Sequence, residues 1–326
     1  MNFEEIKDRL LTRKHAWLIT GVAGFIGSHL LEFLIAHDQK VIGIDNFFMG
    51  RQKNLQEVRN LFPDKFDSLF CFVRGDIRDQ KLCEELCLGV DYVLHHAAIS
   101  SVPFSFENPI ETNEVNIVGT VNMLHAATRA RVKRFVYASS SAVYGDQEEE
   151  NKKESDPVDL ISPYASTKYI NELSSQIFPT IGLRYFNVFG HRQDPNGPYS
   201  AVIPKWISLL ASGCQPVIYG TGETTRDFCH VDNVIQANIL ACFCEINKEI
   251  EPVFNVASGI SISLEKLLFL IQKDMKLEVK PIYKDFRSGD ILKSSASIEK
   301  IKSVLGYKPA VSVQEGIRKT IQAEYI

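Results

Sequence analysis

No apolar run in this 326-residue chain reaches the ~18 residues that a bilayer-spanning helix needs. There is no basic cluster, and the formal net charge is −4, so the electrostatic footprint of a nucleic-acid binder is missing. The seven cysteines are odd in number and form no CxxC pair, which argues against a disulfide framework and against a metal site. They stand at positions 71, 83, 87, 214, 229, 242 and 244, mostly among apolar neighbours, and read as reduced thiols of a cytoplasmic protein. No internal repeat occurs. The only charged run, residues 147–154, reads as a solvated loop. The first 17 residues form an amphipathic helical pattern rather than a signal peptide. What is present is ordinary globular composition, 45% hydrophobic and 23% charged, at a length that suits one large domain or two of moderate size.

The densest information lies at residues 18–27. The apolar residues Trp17, Leu18 and Ile19 run into glycines at 21, 24 and 27, and then into a helical pattern at Ile26, Leu30, Leu31 and Leu34. A strand that turns on glycines into a helix is a site for phosphate. Gly21 permits the turn, Gly24 lets a pyrophosphate approach, and Gly27 lets the helix pack on the strand. The helix end, at Phe25 and Ile26, offers free N–H groups to the anion. Residues 40–45 then read as a second buried strand that ends in Asp45, followed by Asn46. The carboxylate comes 18 residues after Gly27, near the ~20 expected for a group that accepts from an adenosine ribose. Such a carboxylate repels the extra phosphate of NADP, so NAD is the expected cofactor.

Strand and helix patterns alternate through the first half. Strands are predicted near 16–20, 40–45, 68–74, 91–95, 133–139 and 180–187. Helices are predicted near 26–37, 52–61, 79–87, 110–130 and 162–176. That alternation predicts an α/β fold with a doubly wound, Rossmann-like parallel sheet. A Pro- and Gly-rich stretch at 187–200 marks a transition. The expected division is an NAD-binding domain over 1–187, to which about 225–258 returns, and a smaller C-terminal α/β substrate-binding domain over 188–326.

Tyr164 and Lys168 form Y-x-x-x-K just after Ser162-Pro163, a good helix start. The spacing puts phenol and ammonium on one helix face, where the ammonium favours phenolate. A phenol tuned in this way can take an alcohol proton. Upstream, Phe135, Val136 and Tyr137 form a strand that ends in Ser139, Ser140 and Ser141. In a doubly wound sheet ligands bind at the carboxyl ends of strands, so these hydroxyls would face a polar substrate. The order of glycine turn, strand-end serines and Y-x-x-x-K points to an enzyme.

On these residues the chain resembles the extended short-chain dehydrogenase/reductase family of nucleotide-sugar enzymes. The likeness is nearest to bacterial UDP-N-acetylglucosamine 4-epimerases that also accept the uronic acids. It also runs through GDIRD (75–79), SVP (101–103), RYFNVFG (184–190), RQDPNGPY (192–199), AVIPKW (201–206) and FRSGD (286–290). The resemblance implies that Asp76 and Ile77 hold adenine, that His96 and Ala97 lie under NAD, and that Val188 lines the nicotinamide pocket. Tyr164 and Lys168 would contact the nicotinamide ribose, and Ser140 would bond the sugar O4 beside Ser141 and Ser101. Asn187 would contact the sugar or diphosphate. Ala201, Val202, Lys205 and Trp206 would form the uridine side, Arg226 and Arg287 would clamp the diphosphate, and Asp290 would bind the uridine ribose. A small Ser294 would leave room for an N-acetyl group. His95 is expected to be structural. A homodimer through helices near 106–130 and 162–176 is also implied.

The expected reaction is reversible oxidation at C4 of a UDP-sugar: Tyr164 takes the hydroxyl proton, NAD takes the hydride, and both return after the sugar has turned over. Sugar 4,6-dehydratases of this family carry Asp-Glu after the strand-end hydroxyl, where this chain has Ser141 and Ala142, and UDP-glucuronate decarboxylases carry Glu in place of Ala142. A UDP-glucose/UDP-galactose epimerase, a decarboxylase or dehydratase relative, and a regulatory binding protein on the same fold are the alternatives.

Overall fold

The computed structural model describes residues 2–147, 151–177, 179–195, 201–245, 247, 250–286 and 293–325. Seven strands form the main sheet: β1 (Ala16–Thr20), β2 (Lys40–Asp45), β3 (Phe70–Arg74), β4 (Tyr92–His95), β5 (Arg134–Ser140), β6 (Thr180–Tyr185) and β7 (Val253–Val256). Their order is β7-β6-β5-β4-β1-β2-β3, and every neighbouring pair is parallel. The parallel, doubly wound sheet that the alternation predicts is therefore present. The chain builds outward from β1 to β3, then crosses to β4 on the other side of β1. That reversal opens a crevice at the carboxyl ends of β1 and β4.

Side chains alternate between the two faces of the sheet, as a pleated strand requires. Trp17 and Ile19 of β1 join one buried cluster with Leu94, Val136, Leu183 and Phe254, whereas Leu18 joins another with Val93, Phe135 and Tyr137. A third core lies in the C-terminal part, where Ile203, Trp206 and Ile207 pack with Leu267, Ile271 and Ile317. A four-stranded sheet there has the order Ser261–Ser263, Thr225–Asp227, Lys293–Ala296, Asn151–Lys152.

Two expectations change. The charged run is not wholly a solvated loop: Lys152 and Glu154 are buried. The strand Asn151–Lys152 pairs with Ser295 and Ala296, and the Glu154 carboxylate accepts the Asn255 N–H at 2.7 Å. Residues 148–150 lie outside the described residues. The helix predicted over 110–130 is also interrupted. It runs Pro109–Asn113, opens into a π-turn at Glu114–Val118, and resumes as Gly119–Ala130. The wider turn carries Asn116, whose amide bonds both backbone groups of Ile99 and the Thr167 hydroxyl.

The helix Pro163–Ser174 carries Tyr164, Lys168 and Glu172 at successive four-residue intervals, so they share one face. Glu172 forms a two-pronged ion pair with Arg184 of β6, at 2.8 and 2.7 Å, and accepts the Ser139 hydroxyl at 2.5 Å. Both side chains of the pair are 3% exposed. This contact fastens the helix to the ends of β5 and β6. Removing one partner strands a buried charge. Glu172→Ala is predicted to lower the unfolding free energy, read by urea denaturation, by about 3–5 kcal/mol. Unchanged stability would contradict that role.

Candidate active site

The glycine turn follows β1 into the helix Phe25–Ala36. Gly21 has φ +68°, and a Cβ there would stand 2.8 Å from the Ala97 nitrogen across the crevice. A Cβ on Gly27 would overlap the Gly21 carbonyl oxygen. Glycine is required at both for helix and strand to close. Gly24 occupies the N-cap position without a side-chain cap, so the first-turn amides receive no side-chain acceptor. This is an open anion cradle with a positive dipole end.

The cleft above it is lined by Gly21, Gly24, Phe25, Ile26 and Gly27 of the turn, Asp45 and Asn46 after β2, Asp76 and Ile77 after β3, and His96 and Ala97 after β4. Asp45 is buried, which raises its pKa, while the N–H groups of Phe47 and Ala23 support the carboxylate at 2.8 and 2.9 Å. Hydrogen bonds from Arg78 hold Asp76 down at about 2, and Asn46 adds another at 2.9 Å. The uncapped helix end, the close backbone approach at Gly21 and the buried Asp45 carboxyl held by backbone N–H groups suit a dinucleotide diphosphate with a free adenosine ribose.

The Thr20 hydroxyl joins the two sides of the crevice. It accepts the N–H groups of His96 and Ala97 at 3.1 and 3.0 Å and lies 2.8 Å from His95 Nδ1. His95 Nε2 reaches Thr120, whose hydroxyl donates to the Asn116 carbonyl at 2.6 Å. Thr120 therefore accepts from Nε2–H, and Thr20 donates to Nδ1. His96 stacks on Tyr185 and contacts its hydroxyl at 2.9 Å, and Tyr185 is bound in turn by Asn238.

Ser140, Tyr164 and Lys168 line the same cleft, with Ser101, Val188 and Ala201. Burial raises the Tyr164 pKa, and the hydrogen bond with Ser140 opposes it. Burial also lowers Lys168 to about 8. Its ammonium donates to the Ala138 carbonyl at 2.9 Å and lies 5.7 Å from the Tyr164 ring centre. The ammonium effect expected on the phenol is not seen here: burial and the Ser140 hydrogen bond are what shift Tyr164. Ser105 accepts the Tyr164 N–H at 3.1 Å and sets the start of the helix.

Other candidates lie elsewhere. Ser141 begins the short turn Ser141–Tyr144, and Asn187 donates to the Asp227 carbonyl at 3.0 Å. Trp206 is 3% exposed in the C-terminal core and donates to the Val217 carbonyl; Val202 packs against that core, and Lys205 is exposed. Arg226 donates to the Thr225 carbonyl and pairs in register with Ser294. None of these seven is on the cleft wall. Arg287 and Asp290 lie outside the described residues. The sequence reading missed Thr20, Asn116 and Tyr185. Thr20 could have been found as the hydroxyl that precedes the first glycine. Asn116 and Tyr185 carry no local signal.

Burial pulls His95 from 6.5 to about 3. The unfolded imidazole gains its proton below 6.5, whereas the folded one stays neutral. The stability tied to neutral His95 is complete above 6.5 and is lost as pH falls toward 3. His95→Gln is predicted to remove about one proton, ~1.4 kcal/mol per pH unit, from the slope of unfolding free energy between about pH 6 and pH 4. An unchanged slope would refute the neutral assignment.

Comparison with known proteins agrees with this geometry. The family model described as "NAD dependent epimerase/dehydratase family" matches residues 17–257. A UDP-glucose 4-epimerase of Mycolicibacterium smegmatis is 34% identical over 313 residues, covering 94% of this chain and 97% of that protein. The solved UDP-N-acetylglucosamine 4-epimerase of Methanobrevibacter ruminantium, in complex with UDP-N-acetylmuramic acid, is 36% identical, with a TM-score of 0.88 over 95% of this chain and 98% of its own. A Bacillus cereus UDP-glucuronic acid 4-epimerase variant, solved with a fluorinated UDP-glucuronic acid and NAD, is 27% identical, with a TM-score of 0.84 over 94% and 98% of the two chains. The chain belongs to the NAD-dependent epimerase/dehydratase family of the extended short-chain dehydrogenases/reductases, and its cofactor is NAD.

Proposed function

We propose that this enzyme interconverts the C4 epimers of a UDP-sugar, most readily UDP-N-acetylglucosamine and UDP-N-acetylgalactosamine or their uronic acids. One observation carries the reading. The cleft brings an NAD cradle to Ser140, Tyr164 and Lys168, and the groups that hold or face its four lining carboxylates lie in the turns after β1, β2 and β3. Asp45 is held by backbone N–H groups, Asp76 by Arg78, and Asp194 by Arg51, while Glu111 acts electrostatically on Arg78. Ser141 and Ala142, the residues that follow Ser140, carry no carboxylate. A dehydratase or decarboxylase needs a further acid or base there.

NAD supplies the hydride acceptor and donor at C4 when bound. The protein's own groups handle the proton. Tyr164 is buried beside the Ser140 hydroxyl; once the phenol is ionised, which the positive charge of a bound nicotinamide would favour against its burial, a sugar hydroxyl placed between them can pass its proton to the phenolate oxygen. Lys168 is pinned to the Ala138 carbonyl by one of its hydrogens, which leaves two others for a ribose hydroxyl. Ser140 also accepts the Ala142 N–H at 3.1 Å, which fixes the direction of its hydroxyl.

The substrate choice rests on the Methanobrevibacter relative; the role of the small residue at 294 is implied by the resemblance alone, since Ser294 lies off the cleft wall. The mycobacterial relative favours UDP-glucose and UDP-galactose as the second reading. The enzyme is further proposed to be a cytoplasmic homodimer. Val118 and Val121 on the interrupted helix, and Leu173 on the helix that carries Tyr164, are exposed apolar residues suited to face a second copy.

Purified protein incubated with UDP-N-acetylglucosamine, its uronic acid and UDP-glucose is predicted to give C4 inversion by NMR, fastest with one of the first two. Tyr164→Phe is predicted to lower kcat by about 10³-fold. Inversion of none of the three, or a fully active Phe variant, would overturn the reading.

A further inference from the structure

The loop after β2 does more than carry Asp45. Asn46, Phe48, Met49, Gly50 and Arg51 all line the cleft. Phe48 and Met49 are half exposed, unusual for large apolar side chains at the edge of a polar crevice. The loop is tied across the cleft in two directions. On one side the Phe48 ring meets Phe104, on the helix Val102–Glu107 that follows β4, at 5.9 Å and 74°. On the other side Arg51 forms an ion pair with Asp194, which lies beyond the short strand Val188–Phe189. The loop's root is fixed to the glycine turn, because Arg51 N–H donates to the Ala23 carbonyl at 2.9 Å.

The far anchor is rigid. Arg192, two residues before Asp194, is buried and donates to Glu32 and Glu57 at 2.6 and 3.1 Å. His191 bridges Glu57 and Glu324 at 2.8 and 2.7 Å. These contacts hold residues 191–194 against the helices Phe25–Ala36, Gln52–Leu61 and Val313–Tyr325. The Arg51–Asp194 pair therefore joins a loop to a fixed post, and both partners border the space above the glycine turn.

We propose that Asn46–Arg51 is a strap that retains NAD in the cleft, fastened by the Arg51–Asp194 ion pair and by the Phe48–Phe104 ring contact. NAD leaves only when the strap is unfastened, so each fastening sets part of the release rate. A cofactor that is restored within every turnover gains from slow release. The inference rests on the cofactor alone and stands whichever sugar the enzyme takes.

The test is release of NAD from the holoenzyme into a chase of labelled NAD. Both members of the ion pair are 41% exposed, so its strength is that of a surface pair. Arg51→Ala and Asp194→Ala are each predicted to speed release by about five-fold, and the double variant by no more than either. The exchanged pair, Arg51→Asp with Asp194→Arg, is predicted to restore slow release. Phe48→Ala is predicted to speed release about three-fold and to multiply with Arg51→Ala. Unchanged release in both single variants would overturn the strap. So would a large effect of Arg51→Ala with none from Asp194→Ala and no rescue by exchange, since Arg51 would then be holding the cofactor directly.

Discussion

One hydroxyl holds the site together. Thr20 ends β1, and its oxygen receives two backbone N–H groups from the turn after β4 while donating to His95. The crevice of an open parallel sheet exists because neighbouring strands part at the switch point. Without the hydroxyl the Ala97 N–H would lose its acceptor, while the His96 N–H would keep the Thr20 carbonyl at 3.2 Å. Thr20 satisfies both amides and sets the gap at one side-chain length. Gly21 follows directly and has no Cβ to collide with Ala97 across that gap. The cofactor cradle, the position of His96 and the reach of the helix that carries Tyr164 all depend on this spacing.

A second constraint is desolvation. Tyr164 and Lys168 are buried on one helix face, and burial works against the charged form of each. The protein sets specific contacts against this: Ser140 to the phenol, the Ala138 carbonyl to the ammonium. The helix itself is held by a buried ion pair to Arg184 four residues beyond Lys168. Glu172 thus satisfies Arg184 and Ser139 together, and its carboxylate, one turn from Lys168, is kept apart from Tyr164 by these contacts. That separation favours a reversible proton transfer at a single hydroxyl over chemistry at a second carbon.

Much of this could be read from the chain. Apolar strands in alternation with helical patterns, glycines at 21, 24 and 27 and an acid at 45 identify the doubly wound sheet and its dinucleotide end, because each is a local requirement of backbone geometry. Tyr164, Lys168 and Ser140 were legible because a four-residue helical interval and a strand end are local as well. What escaped depends on distant partners. Asn116 matters through Ile99 and Thr167, which only the folded chain brings near, and the π-turn that presents it breaks a helix whose sequence looks continuous. Lys152 and Glu154 resemble solvated charge until a neighbouring strand covers them. Trp206 lies in a motif that suggests a ligand wall, yet its apolar neighbours Ile203, Ile207 and Leu210 draw it into the C-terminal core.

On the proposed function the site oxidises one carbon and restores it, and the fate of the hydrogen on that carbon tests this most directly. A UDP-sugar that carries deuterium at C4 can be turned over to equilibrium in ordinary water, and both epimers examined by NMR and mass spectrometry. Full retention of deuterium at C4 in both epimers, with no label in free NADH, is the predicted result. Loss of the label to water, or its appearance on C5 or C6, would contradict it.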